Sequence, residues 1–197
     1  MEESLKDLSR RVRACRLCEA ELPLGPRPVF RAGSSARILI ASQAPGTKVH
    51  ESGIPFDDPS GDRLRDWMGI DSEAFYNVEN IAIIPMGLCY PGKGDWGDLP
   101  PTKRCAPTWR QALLDQMPGI KLVIAVGLFA VRWHLPEARG SLTKIVQEYS
   151  PLSGDVVPLP HPSPRNNIWL SKNRWFETEV VPILRKRVAD VLGLEDG

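Results

Sequence analysis

"KLVIAVG", Lys121 to Gly127, is a run of five apolar residues between a lysine and a glycine. No polar residue alternates with the apolar ones, so the stretch reads as a strand buried on both faces. A helical pattern, "LFAVRWHL" (128–135), follows at once. The same unit recurs on both sides. "RILIAS" (37–42), "NIAIIPMGL" (80–88) and "DVVPLPHPS" (155–163) read as further buried strands. Between them "SGDRLRDWMGI" (60–70) and "CAPTWRQALLDQM" (105–117, with Pro107 near its start) carry helical spacing. "RWFETEVVPILRKRVADVL" (174–192) closes the pattern as a long helix that Pro182 is expected to bend. Residues 2–20 place Leu5, Leu8, Val12 and Cys15 at spacings of three to four, which predicts an amphipathic helix carrying Cys15 and Cys18 at its end. The segment from Gly92 to Pro101 reads as a long loop. Strands that alternate with helices predict a three-layer α/β/α sandwich around a mostly parallel four-stranded sheet, with a site at the C-terminal ends of the strands.

The chain has 197 residues, 42% of them hydrophobic, enough for one well-buried core, so a single domain spanning 1–197 is expected. No run of 18 apolar residues exists, and "MEESLKDLSRRVRAC" is charged where an export signal needs an apolar stretch. A cytoplasmic, membrane-free protein is the expectation. The formal net charge of +1 leaves open both a neutral and a polyanionic partner, since a basic face can hide in a neutral total.

Cys15 and Cys18 form a C-x2-C pair, and Cys89 and Cys105 a C-x15-C pair. In a reducing compartment such thiols more often hold metal than form disulfides, although four small buried residues would give the same letters. Four thiolates suit zinc or an iron–sulfur cluster, and spacing does not separate the two.

If the strands run parallel, "QAPGTKVHESGIPFDDPSGDRL" after the first, the cysteine loop after the second, Gly127 after the third and "HPSPRN" after the fourth all gather at one sheet edge. His161 and the Gln43–Gly46 loop become neighbours.

These segments carry a resemblance. "SQAPGTKVHESGIPFDDPSGDRL" resembles the first motif of the uracil-DNA glycosylase superfamily, above all its thermophile-type iron–sulfur branch, with Gly46, Gly53, Pro55, Phe56, Gly61 and Leu64 at matching intervals. "HPSPRN" resembles the second motif in the form found in the single-strand-selective monofunctional branch. The cysteine spacing is similar to that of the iron–sulfur branch.

The resemblance implies a monofunctional DNA repair glycosylase that flips uracil out of DNA and hydrolyses its N-glycosidic bond, leaving an abasic site and free uracil. It implies a [4Fe–4S] cluster on Cys15, Cys18, Cys89 and Cys105, with structural zinc as the alternative. A monomer is expected. Phe56 stands at the stacking position, where the alternative is a core phenylalanine. Gln43, Ala44 and Gly46 form the base-contacting turn. His161, held between Pro160 and Pro162, is placed to stabilise charge on the departing base, the alternative being an ordinary loop histidine. Ser163, Arg165 and Asn166 belong to a loop that enters DNA, and Ser60 and Arg63 are further phosphate contacts.

Two positions depart from the pattern. Ala44 stands where a water-orienting Asp is found, and Val49 and His50 where the iron–sulfur branch has Glu-Asp. His50, Asp57 and Asp58 are the candidates to act on water instead. Pro85 stands where many members read uracil with Asn, so the preferred base is uracil or another deaminated base such as hypoxanthine. A protein that binds damaged or abasic DNA without turnover is the reading from a different class.

Overall fold

The computed structural model describes residues 3–95, 97–149 and 154–194. Its main sheet contains β1 (Ile38–Ala41), β2 (Ile81–Ile83), β5 (Leu122–Val126) and β6 (Val156–Leu159), in the order β2-β1-β5-β6, with every neighbouring pair parallel. β1 and β5 are central, which explains why both read as unbroken apolar runs. Pro158 in β6 is compatible with the sheet because β6 is an edge strand, where one backbone N–H is dispensable.

Alternate residues of each strand point to opposite faces and meet different helices. Ile38, Ile40, Ile124 and Val126 pack with Leu64 and Met68 of α3 (Pro59–Met68) and with Leu184 and Val188 of α9 (Val181–Leu192). Leu39 and Ala82 pack with Leu8 and Val12 of α1 (Leu5–Arg13) and with Leu113 of α5 (Cys105–Asp115). Ala41 and Ala125 take Ala130 and Val131 of α6 (Leu128–His134). The three layers of the α/β/α sandwich expected from the sequence are present, around four parallel strands. Among the described residues no helix is long and apolar enough to cross a membrane.

Several elements differ from the sequence expectation. α1 ends at Arg13, before Cys15, and the chain passes through turns to a short 3-10 segment, Glu19–Glu21, so neither cysteine sits on the helix. The loop after Gly92 carries a small antiparallel hairpin, β3 (Lys93–Gly94) and β4 (Gly97–Asp98). The C-terminal helix begins with a π segment, Phe176–Val180, just ahead of Pro182, where the missing N–H breaks the regular ladder. Four shorter elements lie outside the expectation: α2 (Thr47–Ser52), α4 (Ser72–Tyr76) and α8 (Asn167–Lys172) are too short to show a period, whereas α7 (Leu142–Tyr149) spaces Leu142, Ile145, Val146 and Tyr149 as a helix does.

Candidate active site

The C-terminal ends of the strands are stitched to one another. Met86 N–H donates to Ser42 O, Gly87 N–H to Gln43 O, and Gly127 N–H to Leu159 O, at 2.7–2.9 Å. Above them opens a cleft of about 390 Å³, large enough for a nucleobase and its sugar. Ala44, Pro45 and Gly46 form one wall, Phe56, Asp58 and Ser60 a second, and His161, Ser163 and Arg165 a third. The first loop and His161 are therefore neighbours, as the topology required.

Phe56 is both a core residue and a cleft wall. It is 8% exposed, packs edge-on against Phe75 at 6.1 Å, and turns its remaining surface to the cleft. Among the described residues it is the only non-glycine with positive φ, at 59°. For a bulky aromatic this conformation is costly and persists only where the surroundings enforce it, a pattern concentrated at functional sites. Gly61 is part of the enforcement: a Cβ there would lie 1.8 Å from the carbonyl oxygen of Phe56. Asp58 caps α3 by accepting from Gly61 N–H at 3.0 Å.

The loop that bears His161 is bracketed from below. Asn166 donates its side-chain amide to His161 O at 2.7 Å, and Arg63 donates to Ser163 O at 3.2 Å and to Asn167 Oδ1 at 2.8 Å. His161 Nδ1 accepts from Ser163 N–H at 3.2 Å. Burial holds the imidazole below its ordinary pKa and Arg165 acts the same way, while the nearby charges of Asp58 and Asp98 oppose them. A neutral ring carries one N–H, and with Nδ1 engaged as acceptor that N–H belongs to Nε2. His161 thus presents a donor and no charge, the form that stabilises an oxyanion.

The remaining sequence candidates divide. Ser60, Ser163 and Arg165 line the cleft, whereas Arg63 and Asn166 support its floor and do not line it. Gln43 turns away and donates to Leu99 O at 3.2 Å, so it anchors the hairpin. His50 lies outside the cleft lining, buried with its ring 6.1 Å from Tyr90. Asp57 is exposed and also outside the lining. Sequence reasoning missed Lys48, Lys93 and Asp98, all cleft-lining. The last two sit on two-residue strands whose register is set by Gly94 pairing with Gly97, which the sequence does not announce. It also missed Ile168, 70% exposed and one helical turn beyond Arg165.

A second, smaller pocket is lined by Cys15, Cys18, Cys89 and Cys105, together with Leu88 and Trp109. N–H groups are directed at the sulfurs: Trp109 Nε1 and Leu17 N lie 3.2 and 3.5 Å from Cys15 Sγ, and Leu88 N lies 3.3 Å from Cys105 Sγ. Burial pushes the thiols of Cys89 and Cys105 up to about 11, and the neighbouring cysteines add to the effect. Among the described residues no three His, Cys, Asp or Glu side chains converge as the ligands of a metal ion.

The family model of the Uracil DNA glycosylase superfamily matches residues 30–185 of the chain. That span contains all four sheet strands, both motif loops and every residue named above as lining the cleft. On this extent of match, the chain belongs to the uracil DNA glycosylase superfamily.

Proposed function

We propose that this glycosylase of the superfamily is a monofunctional enzyme that removes uracil from DNA by hydrolysis. The observation that carries the reading is the neutral His161, locked by its loop in a cleft that also contains Phe56. The target nucleotide swings out of the stack, and its base slides against Phe56 while the sugar remains at the cleft mouth. As the bond between C1′ and the base nitrogen breaks, the electron pair leaves with the base, and negative charge grows on its carbonyl oxygen. His161 Nε2–H is the donor for that oxygen. One preorganised donor of this kind contributes about 3–4 kcal/mol to the transition state.

Lys48, Lys93 and Arg165 bring positive charge to the cleft wall, where a phosphate backbone would lie. Arg165 faces into the cleft, so the exposed Ile168, at the start of α8, is the better placed apolar wedge to enter the stack. A second reading concerns the base alone. Among the described residues no Asn or Gln lines the cleft, and Pro85 lines it just after the second strand. Without a side-chain amide to read the uracil edge, hypoxanthine or another deaminated base becomes the alternative substrate. Parallel excision assays on uracil, hypoxanthine and xanthine oligonucleotides test both: uracil release supports the first reading, and release of a purine with uracil untouched supports the second.

A [4Fe–4S] cluster is the group proposed for the four cysteines: they line one pocket, and N–H donors reach the sulfurs of Cys15 and Cys105, as suits thiolate ligands of a cluster. Zinc, with four sulfurs drawn tightly around one ion, is the alternative. Its role is structural. It ties the turn after α1 to the start of α5, and four protein ligands leave no open position for substrate.

A further inference from the structure

We infer that Asp98, on the hairpin that lines the cleft beside Gly46, is the carboxylate that orients and deprotonates the attacking water. The inference rests on the glycosylase reading above and addresses the step that reading leaves without a residue. Ala44 fills the place of the expected Asp, and His50 and Asp57 lie outside the cleft.

Among the described residues, two carboxylates line the cleft, Asp58 and Asp98. Asp58 is engaged: its Oδ1 accepts the N–H of Gly61 and caps α3, and it is held next to the strained Phe56. Asp98 makes no side-chain hydrogen bond or ion pair with any described residue, so none of these competes with water for its oxygens.

Its backbone is fixed from several sides. Asp98 pairs with Lys93 in the hairpin, Leu99 N–H donates to Gly92 O at 2.9 Å, and Gln43 holds Leu99 O. The arm aims the carboxylate at the base loop: a Cβ added to Gly46 would lie 3.5 Å from Asp98 Oδ2. The charge of Asp98 is also felt at His161, so the two groups flank one volume. A donor for the departing base and an acceptor for the water, on separate walls, are what hydrolysis at C1′ requires. The water oxygen bonds to C1′, the C1′–N bond breaks with its electron pair leaving on the base, and the water proton passes to Asp98. Asp98 is exposed in the free protein, and bound DNA would cover it.

The test is single-turnover excision by wild type, Asp98→Asn and Asp98→Glu on the three-base panel, alongside binding to abasic DNA by fluorescence anisotropy. Asp98→Asn should lower the excision rate by about 10²–10⁴-fold with abasic-DNA affinity within about threefold of wild type, the range for loss of one acid–base group. Asp98→Glu should recover part of the rate. Wild-type excision with an Asp98→Asn rate within about threefold of it overturns the role of Asp98 and leaves the glycosylase reading intact. A wild type that excises none of the three bases overturns that reading and this inference together.

Discussion

His161 and Phe56 show how a side chain's role is fixed by its backbone. Pro160 and Pro162 hold the histidine, Ser163 N–H takes its Nδ1, and burial keeps it neutral. His161→Ala should therefore lower single-turnover excision by about 10²–10³-fold while DNA binding survives, the loss expected for one oxyanion donor. An unchanged rate removes His161 from the chemistry. Ile168→Ala should slow excision from duplex DNA more than from single strands, because only the duplex leaves a gap to fill. Equal effects on both substrates would make Ile168 a simple surface contact.

Gly61 acts one scale up, on the packing of α3 against the loop that precedes it. A methyl group there collides with the carbonyl of Phe56, so Gly61→Ala should destabilise the protein by about 1–3 kcal/mol in urea unfolding and also reduce excision, by displacing Phe56. A variant with wild-type stability and rate would show that the loop tolerates the shift. α5 and α6 meet where the buried Arg110 donates to Nε2 of the half-buried His134 at 2.6 Å and to Ile84 O at 2.9 Å. Burial first, and Arg110 second, push the His134 pKa down to about 3. The unfolded chain takes up this proton near the ordinary value of 6.5 and the folded chain does not, so stability is full above that pH and falls as pH drops toward about 3. His50 and His161 are shifted in the same direction, each chiefly by burial. His134→Gln keeps an acceptor for Arg110 and removes the titration. Its unfolding free energy should decline less steeply than wild type between pH 6.5 and 4, and an identical decline would assign the effect elsewhere.

At the scale of the whole molecule, what was legible was what repeats or what has few alternatives. "KLVIAVG" and its three partners announced a buried parallel sheet because each run is apolar on both faces, and parallel topology then forced the loops of His161 and Ala44 together. The hairpin of Lys93 and Asp98 was not legible: two-residue strands have no period, and their register depends on Gly94 and Gly97 meeting in space. For the same reason the internal partners of Gln43, expected as a base contact, and of Arg63 and Asn166, expected as DNA contacts, were not legible. The cysteines were legible as a group, and the structure brings them to one pocket. Anaerobically purified protein should be brown with about four irons per chain, and Cys18→Ser should lose the colour and melt at lower temperature. Colourless protein with about one zinc would keep the site and reject the cluster, and folded metal-free protein would reject both.

The central claim is that the cleft hydrolyses a uracil glycosidic bond. It is tested most directly by incubating the purified protein with a uracil-containing oligonucleotide and identifying the products by mass. The account predicts free uracil and an uncleaved strand bearing one abasic site. Intact substrate after prolonged incubation with excess protein, in both single- and double-stranded form, would contradict it.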